Sequence, residues 1–495
     1  MKKKKGFTLV ELLAVIVILA VILVIAVPRI TDVIKKTRLS SLESTAKLIV
    51  NQAEKKYTEN QVLGNTNEIN CNDVANLNDT DYGACKITID TNGNASVILN
   101  GKKNGKFDNL TCSGTKYNMI CGEGETSTAK KCYTGKTSLA QGDEYIDGQY
   151  TYKYKQHYDV NKWASISNDG WGVALTDKTS TDAVTSELCG SIDDKPIVSM
   201  SWMFQNSQAS SLDLSSFNTS NAVNMNSMFA DSQATSLNLS SFDTSSVKYM
   251  SSMFSNSQAT EINGLNKFDT SKVTWMQFMF QNSQVTSLNL SNFDTSNVTD
   301  MHYMFAGSQA IEIKGLNKFN TSKVKYMERM FADSQATSLD LSNFDTSNVI
   351  SMNFMFNGSQ ATEIIGLNKF KTVNVTRMDY MFYGSQATSL DLSNFDTSKV
   401  TSMNSMFMNS QVEELNLSEF NTSNVTDMYS MFWGSKATSL DLSSFDTSKV
   451  TNMSYMFRDS QATVGYAKTC EDAARLNASS YKPSSLTFIV KNTTC

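Results

Sequence analysis

The stretch MFADSQATSLDLSNFDTSNVISMNF, residues 330–354, is one unit of a repeat that fills more than half of the chain. The dipeptide Met-Phe recurs every 25 or 26 residues, and each 26-residue unit carries an inserted glycine in the motif GLNKF. Units with this glycine recur every 51 residues. A fixed period of this length is typical of a solenoid in which each unit forms one coil. The dipeptides begin at Met203, Met228, Met253, Met279, Met304, Met330, Met355, Met381, Met406, Met431 and Met456.

Each coil contains two segments with a regular apolar pattern. In SLDLS, Leu339 and Leu341 alternate with Asp340, which predicts a short strand with the leucines inward. In the segment that ends at Met-Phe, apolar residues recur in steps of three after Ser and Thr residues suited to an N-cap, which predicts a short helix. The predicted fold is therefore an α/β leucine-rich-repeat-like solenoid with one short parallel strand and one short helix per coil.

One coil alone buries too few apolar side chains to offset the conformational entropy of ordering its residues. Stability must therefore come from stacked neighbours, and both ends of the array need covers. Residues 199–463 form the predicted array. Residues 142–198, rich in Tyr and Trp, and residues 464–495 are the predicted N-terminal and C-terminal caps.

The repeat resembles BspA-type leucine-rich repeat surface proteins of bacteria, whose units carry LDLSxFDTSxVTxMxxMF. In many family units a cysteine stands where this chain has Ser207 or Ser232, and a leucine where it has Ala209 or Ala234. The side chains that line the interior of the coils are therefore smaller in this chain. The resemblance implies a surface-exposed binding or adhesion protein.

The N-terminus, MKKKKGFTLVELLAVIVILAVILVIAVP, joins four lysines to an apolar stretch interrupted only by Glu11. Residues 7–27 are long enough to span a bilayer as a helix, and the preceding lysines favour a cytoplasmic N-terminus. The apolar pattern continues to about Tyr57, which predicts one long transmembrane and assembly helix over 7–57. The rest of the chain is expected to lie outside the cytoplasm.

This N-terminus resembles the signal of type IV prepilins and the related pseudopilins. The resemblance implies a leader over 1–6, cleavage by a prepilin peptidase between Gly6 and Phe7, and methylation of the new amino terminus. Glu11 matches the family glutamate that pairs with the N-terminal amine of a neighbouring subunit during assembly. The alternative is an uncleaved membrane anchor in which Glu11 reaches the nearby interface.

Residues 58–141 are predicted to form a small α+β pilin-like head. KITIDTNGNASVILNG alternates apolar and polar residues on both sides of a turn sequence, which predicts a hairpin. Eight cysteines beyond the apolar stretch permit disulfides. The economical pairs are Cys71–Cys85, Cys112–Cys121 and Cys470–Cys495, whereas Cys132–Cys189 would close a longer loop. The sequence alone does not fix this connectivity.

Comparison of the coils separates core columns from candidate binding columns. Met-Phe never changes and is predicted to be core packing, whereas the residue just before it varies and is often aromatic. These aromatic side chains either contact a partner or pack half-buried between coils. The outward strand column is mostly acidic or amide-bearing, and it either faces a partner or forms side-chain ladders without a ligand. The candidate partner-binding residues are Trp202, Phe278, Tyr303, Phe354, Tyr380, Tyr455, Asp213, Asp340, Asp391 and Asp441.

Composition argues against several classes of function. The net charge is −5, and no basic cluster remains beyond the leader, so the solenoid is not expected to bind nucleic acid. The chain has only His157 and His302 and no CxxC pair, and no catalytic constellation is recognisable, so we expect no metal, no cofactor and no enzymatic activity.

The sequence thus predicts a non-enzymatic cell-surface binding or adhesion protein, held by a pilin-like membrane or filament anchor. Its expected partners are prepilin peptidase, other pilin-like subunits, the membrane, and an extracellular protein or glycan. The alternatives are a pseudopilin-type component of a type II secretion or DNA-uptake machine, or a plain membrane-anchored repeat protein.

Overall fold

The structure is a computed structural model. It describes residues 9–63, 69–78, 80–90, 93–102, 105–108, 110–117, 119–123, 130–156, 169–184, 188–214 and 217–495, with the side chains of all but 9–33, 35, 36, 120, 122 and 123. Two compact units divide the chain: Met1–Cys132 with Gly190–Asp194, and Tyr133–Cys189 with Lys195–Cys495.

The first unit packs a long helix on an antiparallel sheet. Helix α1 spans Leu9–Leu63, which confirms the predicted long N-terminal helix, and a short helix α2 spans Cys71–Val74. The sheet follows chain order, with strands β1 Tyr82–Ile89, β2 Ala95–Gly101, β3 Leu110–Thr115 and β4 Met119–Glu123. Strands β1 and β2 form the predicted hairpin. The apolar face of α1 is buried in this core through Leu42, Ala46, Ile49, Val50 and Ala53.

The leader and the predicted membrane segment fall largely outside the described part of this unit. Gly6 and Phe7 are not described, nor are the side chains of Glu11 and the rest of the apolar stretch to residue 27. A search of the described residues finds no helix with the length and apolar character needed to cross a membrane.

Three of the predicted disulfides are confirmed: Cys71–Cys85 and Cys112–Cys121 in the first unit, and Cys470–Cys495 at the C-terminus. Cys132 and Cys189 are also disulfide-bonded. Lys131–Cys132, strand β5, pairs in parallel with Ser191–Ile192, strand β9.

The second unit begins with a Tyr- and Trp-rich sheet. Its strands are β6 Glu144–Asp147, β7 Tyr150–Tyr154, β8 Trp171–Leu175 and β10 Lys195–Ser199, with β6, β7 and β8 antiparallel and β10 parallel to β8. Tyr150 is fully buried, and its ring contacts Phe217 of the first coil with centroids 5.9 Å apart. Ser199 bridges in parallel to Asn224, so the array continues directly from this sheet.

The repeats form a β-solenoid, as expected for the periodic sequence. Short strands of neighbouring coils pair in parallel and in register, mostly two coils at a time, so that Leu237 faces Ile262 and Leu339 faces Ile364. The strands are β11 Ser236–Asn238, β12 Glu261–Asn263, β13 Ser287–Asn289, β14 Glu312–Lys314, β15 Ser338–Asp340, β16 Glu363–Ile365 and β17 Ser439–Leu442.

The prediction of a short helix in each coil is wrong. The segment that ends at Met-Phe is a run of turns, in which backbone N–H groups alternate between two acceptors. Met279 N–H donates to Met276 O three residues back, whereas Phe280 N–H donates to Met304 O in the next coil. Steps of three between buried apolar residues fit this arrangement as well as a helix. Within the described array, helical structure is limited to 3-10 turns at Leu265–Lys267, Leu316–Lys318 and Leu367–Lys369.

The invariant columns form the core, as predicted. Every Met-Phe phenylalanine is fully buried, and from Phe204 to Phe457 these rings stack coil on coil with centroids 5.4–5.9 Å apart. The threonine of FDTS is also buried and links coils. Thr346 Oγ1 donates to Lys371 O at 3.1 Å and accepts from Lys371 N–H at 2.7 Å. The neighbouring coil therefore supplies both apolar and polar partners.

The inserted glycines explain the 26-residue coils. Gly264, Gly315 and Gly366 have φ of 88°, 94° and 95°, and a Cβ on any of them would lie 2.5–2.7 Å from backbone atoms of the preceding coil. Only glycine combines this dihedral with such a close approach.

The C-terminal residues cover the last coil. Strands β18 Val464–Ala467 and β19 Thr487–Val490 extend the parallel sheet, and helix α3 spans Cys470–Asn477. Asp472 of α3 accepts hydrogen bonds from the backbone N–H and the hydroxyl of Thr447. This carboxylate takes the place of the missing next coil.

Candidate functional site

The residue before each Met-Phe has a left-handed backbone, with φ between 53° and 60° in every coil. Phe354 is representative: its N–H donates to Asp379 O of the next coil at 2.9 Å, and its carbonyl accepts from Asn357 N–H at 3.1 Å. Because both backbone groups are satisfied inside the solenoid, the side chain is free to vary. The column comprises Trp202, Ser227, Ser252, Phe278, Tyr303, Arg329, Phe354, Tyr380, Ser405, Ser430 and Tyr455.

A second column of residues with left-handed backbone provides an internal comparison. It lies three residues after the methionine of each Met-Phe pair. It contains only Asn, Asp and Gly, the residues that adopt this conformation most readily. Its members are Asn206, Asp231, Asn256, Asn282, Gly307, Asp333, Gly358, Gly384, Asn409, Gly434 and Asp459. The first column instead places bulky rings and an arginine in a conformation that costs roughly 1–2 kcal/mol per residue.

Five consecutive members of the first column form one stack, here called the central ladder: Phe278, Tyr303, Arg329, Phe354 and Tyr380. The rings of Phe278 and Tyr303 stack with centroids 4.9 Å apart, and those of Phe354 and Tyr380 at 4.5 Å with an interplanar angle of 3°. The Arg329 guanidinium carbon lies 5.4 Å from the Tyr303 centroid and 4.0 Å from that of Phe354. All five side chains are half-buried.

Tyr455 belongs to a second cluster, near the C-terminus. Its ring stacks on Tyr481 at 4.8 Å and on Trp433 at 5.9 Å, and Arg458 lies 4.6 Å from the Trp433 ring. The buried Ser405 and the buried Ser430 separate this cluster from the central ladder.

Trp202 stands apart from both groups, at the N-terminal end of the array. It lines an open groove with Ile146, Thr151 and Lys178, and its carbonyl accepts from Lys178 Nζ at 2.7 Å.

The predicted aspartate column is engaged within the chain. Asp340 and Asp391 each accept a hydrogen bond from the backbone N–H two residues later, at 3.1 and 3.2 Å. Hydrogen bonds from these serine hydroxyl and N–H groups lower the pKa of both carboxyls. Burial raises the pKa of Asp441, but hydrogen bonds from Lys491 and Ser443 outweigh burial, so this pKa is also lowered. These aspartates brace the turn that follows each strand, whereas Asp213 lies exposed.

The two histidines add no constellation within the described residues. His302 Nδ1 lies 2.5 Å from Asp300 Oδ1, and the imidazole packs edge-on against Phe278 with centroids 4.5 Å apart. His157 is outside the described residues. The absence of enzymatic activity stays a prediction.

Sequence reasoning missed Arg329 as a site residue, and it missed the contacts that Trp433, Arg458 and Tyr481 make around Tyr455. Arg329 shares the variable column with the predicted aromatics, so its position was the signal available. The other three come from positions outside that column.

Two family descriptions match parts of this chain. The family described as "Mycoplasma protein of unknown function, DUF285" matches residues 177–263, 257–366 and 359–468. The family described as "Prokaryotic N-terminal methylation motif" matches residues 1–27. The chain thus joins a prepilin-type methylation motif to a repeat array. No curated protein and no solved structure matches the chain.

Proposed function

The chain belongs to the family described as "Mycoplasma protein of unknown function, DUF285", and we propose that it is a non-enzymatic surface protein whose solenoid binds an extracellular partner through the central ladder. The proposal rests on the contrast between the two left-handed columns. One contains only Asn, Asp and Gly, as the ordinary preference predicts, and the other contains Trp, Phe, Tyr and Arg in seven coils and Ser in four.

Bulky residues in a left-handed conformation persist where the surroundings impose the backbone, and they cluster at functional sites. Packing alone does not require them, because Ser227 and Ser252 occupy the same column in coils with the same backbone. Aromatic and arginine side chains are also the residues that contribute most to protein interfaces. Ligand contact is therefore our reason for their presence.

The methylation motif supports display outside the cytoplasm. In this proposal prepilin peptidase cleaves between Gly6 and Phe7, and Glu11 then pairs with the amine of a neighbouring subunit. The protein is anchored in the membrane or built into a filament, with the solenoid outside. A pseudopilin role and a plain anchor are the competing proposals for this segment.

Serine substitution tests the binding surface with little risk to the fold. The triple variant Phe278→Ser, Phe354→Ser, Tyr380→Ser introduces the residue that the chain itself uses in this column. The control, Tyr249→Ser with Tyr326→Ser, removes two aromatic side chains outside it. We expect cells that display the triple variant to lose attachment to host or bacterial surfaces, while the control retains it. Equal attachment of wild type and triple variant would refute the proposal.

Leader variants test the display mechanism. With Gly6→Val or Glu11→Gln, a filament subunit should lose processing or assembly, measured by the mobility of the protein on gels and by recovery of sheared filaments. A plain anchor should tolerate both changes and leave the protein at the surface.

A further inference from the structure

Arg329 is held at the centre of the ladder, with its guanidinium between two rings. Tyr303 comes from the preceding coil and Phe354 from the following one. The two rings restrict the position of the guanidinium, whose N–H groups lie at the edge of its plane. A fixed guanidinium of this kind presents a fork of donors that matches a carboxylate.

Among the residues that the structure describes, this fork has no acceptor. Among the described residues no carboxylate lies within 4.0 Å of the Arg329 guanidinium, and its N–H groups make no hydrogen bond. Two acids beside ladder residues are engaged elsewhere, since Asp300 pairs with His302 and Asp379 pairs with Arg377 at 2.8 Å. Glu328 precedes Arg329 in sequence but makes no ion pair with it. A half-buried guanidinium without an anion is unfavourable compared with a paired one.

The C-terminal cluster contains the same chemistry with its carboxylate in place. Arg458 lies 4.6 Å from the Trp433 ring and 5.8 Å from that of Tyr455, so this guanidinium also lies against two rings. There, Asp459 supplies an oxygen 3.4 Å from Arg458 Nε and accepts from Trp433 Nε1–H at 3.2 Å. Within the described part of the chain, Arg458 therefore has a carboxylate partner and Arg329 has none.

The stacking also decides which ligand the ladder suits. Tyr303 lies between Phe278 and Arg329, and Phe354 lies between Arg329 and Tyr380, so a ligand beside Arg329 meets the edges of these two rings. Ring edges carry the positive end of the aromatic quadrupole. Edges and guanidinium together favour an anionic group, whereas a neutral sugar would need an open ring face.

We propose that the central ladder binds an acidic segment of a protein partner, with a carboxylate of Asp or Glu on the guanidinium of Arg329 and the edges of Tyr303 and Phe354 beside it. The Phe, Tyr and Arg composition is that of a protein interface, which is why we assign the carboxylate to a protein. The inference rests on the proposed function and names its ligand chemistry.

The test uses the full-length protein in detergent, with poly-L-glutamate, poly-L-glutamine and polygalacturonate as immobilised probes. Salt is held near 0.15 M, where charges beyond about 8 Å are screened and the net negative charge of the chain matters little. Arg329→Gln is compared with Arg377→Gln and Arg458→Gln, whose guanidinium groups already have carboxylate partners. Thermal unfolding by circular dichroism checks that each variant is folded.

We expect wild-type protein to bind poly-L-glutamate in preference to both other probes, and Arg329→Gln to bind it about tenfold to a hundredfold more weakly. The two control variants should bind as wild type does. Binding that is equal on poly-L-glutamate and poly-L-glutamine, or unchanged in Arg329→Gln, would overturn the inference. So would an Arg329-dependent preference for polygalacturonate, which would assign the site to an acidic glycan.

Failure of this inference is distinguishable from failure of the proposed function. If the triple serine variant loses surface attachment while Arg329→Gln leaves poly-L-glutamate binding unchanged, the ladder binds a partner by other contacts. If the triple variant attaches as wild type does, the ladder is not the binding surface.

Discussion

Replacing Thr346 with valine should loosen the solenoid at one defined point. Valine has nearly the same shape as threonine but lacks the hydroxyl, and the Thr346 side chain is fully buried. The hydroxyl makes two hydrogen bonds to one residue of the next coil, accepting from Lys371 N–H at 2.7 Å and donating to Lys371 O at 3.1 Å. Both bonds are lost in Thr346→Val.

The expected cost follows from the two bonds. A protein hydrogen bond contributes a net 0.5–1.5 kcal/mol, so their loss lowers the free energy of unfolding by about 1–3 kcal/mol. Thr346→Ser is the matched control, because it keeps the hydroxyl and loses one methyl group, at a cost of about 0.8 kcal/mol. The two variants differ most at the Lys371 amide, which loses its acceptor only in Thr346→Val.

Amide hydrogen exchange followed by mass spectrometry measures this difference locally, and urea unfolding measures the total. We expect peptides containing Lys371 to exchange about tenfold or more faster in Thr346→Val than in wild type, and close to the wild-type rate in Thr346→Ser. Equal exchange at Lys371 in the two variants would refute the idea that the threonine column links the coils.

Two further predictions concern backbone geometry and pH. Gly366→Ala places a Cβ 2.7 Å from backbone atoms of the preceding coil, whereas Gly384→Ala meets nothing closer than 3.9 Å. Because both glycines have positive φ, both variants should lose stability in urea unfolding, but Gly366→Ala by about 2 kcal/mol more, and equal losses would contradict the packing argument. Burial raises the pKa of Asp472, but hydrogen bonds from Thr447 and Thr469 outweigh it and lower the pKa. The stability from this carboxylate is therefore fully present above the ordinary aspartate pKa of about 3.9 and is lost as the pH falls through the lower folded value. The melting temperature of wild type should exceed that of Asp472→Asn at pH 6 and converge with it near pH 2. A difference in melting temperature that persists at pH 2 would contradict this role of the ionised Asp472 carboxylate.

The solenoid and its core could be predicted from the sequence because positions that are buried in every coil carry the same residue in every coil. The Met-Phe pair, such as Met330 and Phe331, recurs in every coil and is buried in every coil. The hairpin and three disulfides could also be predicted, since TNGN and the short cysteine spacings are local signals. Local signals were sufficient wherever neighbours in sequence determine the contact.

The predicted helix failed because its pattern is ambiguous. Val298, Met301 and Met304 are all buried, as a helix face would be. Met301 N–H, however, donates to Tyr326 O of the next coil, and Tyr303 beside it adopts a left-handed conformation that nothing in its side chain favours. Inter-coil hydrogen bonds override local preference here.

The candidate site was predictable in position but not in chemistry. The variable column before Met-Phe was visible from the sequence, and it holds all five residues of the central ladder. Whether Arg329 is paired depends on distances between coils, as the contrast with Arg458 and Asp459 demonstrates. The aspartate column was predicted to face outward, but its hydrogen bonds to the turn after the strand depend on backbone geometry.

Internal deletion tests most directly whether the coil is the structural unit. Removing residues 287–337 excises one complete pair of coils and joins Thr286 to Ser338, which begins a coil of the same type as the one removed. Removing residues 287–299 excises about half a coil and shifts every later column out of register. Circular dichroism and thermal unfolding should show that the first protein is folded and unfolds cooperatively, and that the second has lost the array. If the two deletions behave alike, or if only the half-coil deletion folds, stacking of one coil on the next does not hold this protein together.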